Sequence, residues 1–126
     1  MSKNAITWFD VPTADFDRAV KFYSTILGTE IKLGEHMGQT LGFFPCEGPL
    51  EQAVGGALVP PGMGREPSAG GTCVFLNCEG KLDDVVSRVE SSGGKIVQPK
   101  MSIGEPGWIA IIQDSEGNTI GLHSSK

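Results

Sequence analysis

One internal repeat constrains this chain more than any other feature. Phe16, Ala19, Val20, Tyr23, Ile26 and Leu27 recur at the spacing of a single helix face, and Leu82, Val85, Val86 and Val89 do so again. Phe16 to Leu82 is a step of 66 residues, and Tyr23 to Val89, Gly28 to Gly94 and Ile31 to Val97 repeat that step. The spacing predicts a first helix over 13–27, with Thr13 as N-cap and Gly28 as stop, and a second over 80–92 that ends at Gly93-Gly94. A strand precedes each helix, over 5–9 and 72–77. Three more follow each: 30–33, 40–44 and 53–59 in the first half, 95–98, 108–113 and 119–124 in the second. Each half therefore reads β-α-β-β-β. The stretch between them, PPGMGREPSAGG over 60–71, has the composition of a linker. Neither half can bury both faces of its own sheet. The two are expected to form one α+β domain over 1–126, with module 1 over 4–59 and module 2 over 72–124. Its strands would make one cupped mixed sheet, with the helices outside.

Composition removes several function classes. A net charge of −5 on 126 residues repels a phosphate backbone, and no basic stripe offsets it, so no nucleic-acid partner is expected. The longest apolar runs, such as Trp108 to Ile112, fall far short of the roughly 20 residues that span a bilayer, so no membrane partner is expected either. The opening MSKNAITWFD has no apolar core of a targeting segment. Cys46, Cys73 and Cys78 are odd in number and lack paired spacing, which fits a reducing cytoplasm better than a disulfide framework.

The paired modules, the segment DFDRAVKFYSTILG and the ending DSEGNTIGLHS together resemble the vicinal oxygen chelate superfamily. That superfamily includes glyoxalase I (lactoylglutathione lyase), bleomycin-resistance proteins, extradiol dioxygenases and fosfomycin-resistance enzymes. The stretches WFDVPTAD and GWIAIIQDSEGNTIGLHS look like a glyoxalase-related subgroup without a known reaction. The resemblance implies four inward-facing strand positions, two per module, that hold a divalent metal acting as a Lewis acid. Carried onto this chain, those positions fall on Trp8, Gly55, Thr72 and Gly121. None is a useful ligand: the indole has no free lone pair, the glycines have no side chain, and a hydroxyl binds weakly. No metal and no other cofactor is expected.

Strand alternation places Thr119, Gly121 and His123 in the cup, with Ile120 and Leu122 toward a helix. The expected pocket is Trp8, Phe43 (or Phe44), Gly55, Thr72, Trp108, Thr119, Gly121 and His123, with the glycines opening room for a planar or partly apolar ligand. His123 has two readings: a structural imidazole on a backbone carbonyl, or a ligand contact and general acid/base. Three functions follow. The first is a metal-free small-molecule binding protein. The second is a lyase, isomerase or related enzyme, either metal-free through His123 or metal-dependent through non-standard ligands. The third is a subunit with a vestigial pocket. A homodimer is expected, because such sheets leave edge strands uncovered.

Overall fold

A computed structural model of the chain describes residues 4–49 and 52–126; residues 1–3 and 50–51, inside the expected domain limits, lie outside the described residues. Module 1 contains β1 (Trp8–Pro12), α1 (Phe16–Leu27), β2 (Lys32–His36), β3 (Gln39–Phe43) and β4 (Gly55–Val59). Module 2 contains β5 (Val74–Asn77), α2 (Leu82–Val89), a short 3-10 turn (Glu90–Ser92), β6 (Lys95–Ser102), β7 (Trp108–Gln113) and β8 (Thr119–Ser124). The repeat is real in three dimensions: each module makes a four-stranded sheet, in the orders β1-β4-β3-β2 and β5-β8-β7-β6, with one parallel pair and two antiparallel pairs. Among the described residues no backbone ladder joins the two sheets, so the strands form two paired sheets and not the single expected one.

The predicted apolar stripes supply most of the helices' share of the core; Phe22 joins them from outside the stripe, and Phe16, Val20 and Val86 are only half-buried. Ala19, Phe22, Tyr23, Ile26 and Leu27 of α1 and Leu82, Val85 and Val89 of α2 are buried in one cluster. Val11 and Leu58 of the first sheet join it, as do Leu76, Ala110, Ile112, Ile120 and Leu122 of the second. Each such large side chain contributes about 1.5–3 kcal/mol on burial. One core thus serves both modules.

Helix α1 is held at both ends by module 2. Its N-cap is Asp15, not Thr13: the Asp15 carboxylate accepts from the Arg18 N–H, whereas the Thr13 hydroxyl turns to the Val59 carbonyl. Glu116, in the β7–β8 turn, reaches across and accepts from the backbone N–H groups of Ala14 (2.8 Å) and Asp15 (2.7 Å). At the other end Gly28 takes the left-handed conformation, φ 66°, that ends a helix. No basic residue stands in the last turn of α1 itself. Instead Arg88 donates to the Ile26 carbonyl and Lys81 to the Leu27 carbonyl, cations where the helix dipole favours them.

The turn that carries Glu116 is braced by hydrogen bonds. The Asp114 carboxylate accepts from the backbone N–H of Glu116 and of Asn118, at 2.9 Å each, and Gly117 supplies φ 90°. Tyr23 donates its hydroxyl to Asp114 at 2.6 Å, and Asn118 donates to the Pro12 carbonyl at 2.8 Å. The motif Asp-x-x-Gly-Asn is therefore a latch between modules. The corresponding β3–β4 connection in module 1 runs from Phe44 to Val54 and is much longer.

Candidate functional site

The candidate site is built on the first strand of each module and its parallel partner. Trp8 pairs with Gly55 and Phe9 with Gly56 across β1 and β4; Phe75 pairs with Gly121 and Asn77 with His123 across β5 and β8. Alternation sends Phe9, Val11 and Leu58 toward the helices and leaves Trp8, Asp10, Gly55 and Ala57 on the opposite face. In module 2, Leu76, Ile120 and Leu122 turn inward, so Phe75, Asn77, Thr119, Gly121 and His123 share the outer face.

The glycines are covered by the aromatic rings beside them. A Cβ added at Gly55 would stand 2.8 Å from the Trp8 ring, and one at Gly121 would run into the ring of Phe75. Trp8 also meets Phe43 edge-on, with ring centroids 6.2 Å apart, and donates its indole N–H to Asp10 at 2.9 Å. The expectation that Gly55 and Gly121 open pocket space is corrected here. Their missing side chains are the room in which an aromatic ring lies flat on the neighbouring strand.

The register also replaces one of the four positions. Thr72 precedes β5, and the residue across from Gly121 is Phe75. The four equivalent places are thus Trp8, Gly55, Phe75 and Gly121, an aromatic–glycine pair in each module. These residues do not fit a divalent metal, because none has a side-chain lone pair to offer. Among the described residues no group of three or more His, Cys, Asp or Glu side chains gathers as a metal site.

A cavity of about 670 Å³ opens between the modules next to these pairs. Phe9, Phe44 and Val54 line it from module 1, and Phe75, Leu76 and Lys81 from module 2. Its wall includes the long β3–β4 connection, with Cys46 and Glu47, while Asn77 and Glu79 border it from the other module. That volume lies within the range of small-molecule sites. The carboxylate of Glu79 is engaged by the backbone N–H and hydroxyl of Ser125, which hold it below the usual carboxylate range.

The eight residues expected to line one pocket are divided. Trp8, Phe43 and Gly55 come together, and so do Thr119, Gly121 and His123, but on the other sheet. Thr72 borders, with Thr119 and Asp10, a separate cavity of about 140 Å³. Trp108 lies on the helix side of its sheet, in phase with buried Ala110 and Ile112, under Lys100, whose Nζ is 4.9 Å from the ring centroid. Phe44 likewise turns toward the helices and packs on Tyr23 and Phe9. His123 is 2.7 Å, through Nε2, from the Pro106 carbonyl. A carbonyl only accepts, so Nε2 carries a proton in this contact. Phe9, Phe75 and Lys81 were not foreseen as site residues. The signal for Phe75 was available: a step of 67 from Trp8, one more than the helical step, lands on it.

Comparison with known proteins gives the same architecture. Residues 5–122 match the family model described as the Glyoxalase/Bleomycin resistance protein/Dioxygenase superfamily. The chain is 28% identical over 121 residues to "Putative glyoxylase CFP32" of Mycobacterium bovis, covering 91% of this chain and 43% of that protein. It therefore spans less than half the length of the curated relatives it matches. A crystal structure of a glyoxalase/bleomycin resistance protein from Albidiferax ferrireducens superposes with a TM-score of 0.70 at 16% identity, over 96% of this chain and 98% of that one. A glyoxalase I mutant from Zea mays superposes with a TM-score of 0.65 at 14% identity, over 99% of this chain and 48% of that one. At such identities these structures establish the fold alone.

Proposed function

The chain belongs to the Glyoxalase/Bleomycin resistance protein/Dioxygenase superfamily, and we propose that its two aromatic–glycine pairs occupy the positions where that superfamily holds a metal and that it binds a small molecule between its modules without a divalent metal. The observation that carries this reading is the pairing of Trp8 with Gly55 and of Phe75 with Gly121. Trp8 and Phe75 present ring surface, and Phe75 lines the inter-module cavity. Aromatic faces beside a cavity suit a planar or partly apolar ligand. The three cysteines are free, which supports a reducing, cytoplasmic setting.

A second reading, catalysis through His123, is favoured by one contact. The Pro106 carbonyl holds the imidazole through Nε2, which leaves Nδ1 as the ring nitrogen that would exchange a proton with a ligand.

Two measurements test the proposal on purified protein. Elemental analysis should find zinc, nickel, iron and manganese far below one per chain; a stoichiometric metal overturns the metal-free reading. Trp8 fluorescence, isolated in a Trp108→Phe variant, should respond to a small-molecule screen. A screen in which no compound changes Trp8 emission or raises the melting temperature overturns the binding reading.

A further inference from the structure

We propose that the ligand of the inter-module cavity is a ring-bearing anion, an aromatic or polycyclic acid, with its ring among Phe9, Phe44 and Phe75 and its charge on Lys81. This rests on the small-molecule reading above and names the ligand class. The body of the ligand follows from the walls: three aromatic rings together with Val54 and Leu76 enclose the space.

The charge follows from the ionic groups that border it. Lys81 is half-buried, and its Nζ makes one hydrogen bond, 3.1 Å to the Leu27 carbonyl. That bond fixes the ammonium at the cavity and leaves two protons without an acceptor. Lys81 has no ion-pair partner among the described residues, although the chain carries five more acidic than basic side chains. Of the two acids nearest in sequence, Glu79 bonds Ser125 through its carboxylate and Asp83 pairs with Lys100.

The other half of the molecule supplies a comparison. There the junction between modules is closed by a cation and a carboxylate, with Arg18 Nε 2.7 Å from Glu116 Oε2. At the cavity the cation is present as Lys81, and neither acid of the lining, Glu47 or Glu79, forms an ion pair with it. A bound acid would complete the arrangement with a charge-assisted hydrogen bond. Glu47 and Glu79, both exposed on the lining, are the groups that argue for a cation instead, so the experiment includes both signs.

Naphthoate, naphthamide and naphthylmethylammonium share a ring and differ in charge. Each would be titrated calorimetrically against wild type, Lys81→Gln and Lys81→Arg. Naphthoate should bind at least about tenfold more tightly than the other two. Lys81→Gln should erase that preference, and Lys81→Arg should retain it. Bound naphthoate should also slow alkylation of Cys46, on the cavity wall, while leaving that of Cys73 unchanged. Equal or tighter binding of the cation, or an anion preference that survives Lys81→Gln, overturns the ligand class and leaves small-molecule binding intact. Cys46 reactivity unaffected by naphthoate overturns the location. Failure of all three probes to bind at millimolar concentration overturns this inference together with the reading beneath it.

Discussion

At the scale of single residues, the glycines carry the lesson. Gly121 reads in the sequence as a lost ligand or as pocket space, because a glycine shows only what is missing. The structure shows what took the room: the ring of Phe75 on the adjacent strand. No periodicity in one strand reports a side chain lying over from another, so this pairing was not legible from alternation alone. The consequence is testable. Gly121→Leu forces Phe75 off the strand and should destabilise the protein by about 1–3 kcal/mol, as overpacking does. Combining it with Phe75→Ala should restore part of the loss, since the obstructing ring is gone. Thermal melts of the two single variants and the double variant measure this; additive losses would mean that the ring and the glycine do not interact.

At the scale of elements, helix stripes, the number of strands and the β-α-β-β-β order were legible, because each rests on a local period. Both strands of the last hairpin, 108–113 and 119–124, lie where the pattern puts them. Boundaries moved where a distant group intervened. β1 begins at Trp8 and runs to Pro12, three residues beyond expectation, because it follows β4 residue for residue to Val59. The start of α1 moved because Glu116 and Asp15 claim its first N–H groups. Glu116 is fully buried, and burial by itself would raise its pKa. The Arg18 guanidinium, the Asp15 and Ala14 N–H groups and the Ser115 hydroxyl outweigh burial and hold it at about 2. A carboxylate whose pKa falls on folding stabilises the protein above its unfolded value, near 4.5, and loses that contribution as pH falls toward about 2. Glu116→Gln should therefore cost about 2–4 kcal/mol at neutral pH, as loss of a buried, hydrogen-bonded charge does, and should flatten the acid side of the stability curve. Urea melts between neutral and acidic pH decide it: a variant as acid-sensitive as wild type would remove Glu116 from this role.

At the scale of the whole molecule, one core joins two modules but leaves much apolar surface outside it. Trp8 is 49% exposed, Phe75 48%, Leu33 59% and Met37 90%, and β1, β2, β5 and β6 are edge strands. Uncovered edges beside apolar rings favour a partner surface, and we propose that a second copy supplies it. Light scattering at micromolar concentration should give twice the mass of the 13.3 kDa chain; a monomer mass would refute the pairing. The clasp on α1 also sets an order of events during synthesis. A ribosome releases this helix before the groups that close its ends, Lys81, Arg88 and Glu116. While the emerging chain is shorter than that, the helix has neither its far cap nor the α2 face it packs against. Its apolar stripe must then wait in a nascent chain that cannot yet bury it. Long-range closure of this kind slows folding. The latch that ties the modules together in the finished molecule is thus missing from the unfinished one until residue 116 has emerged.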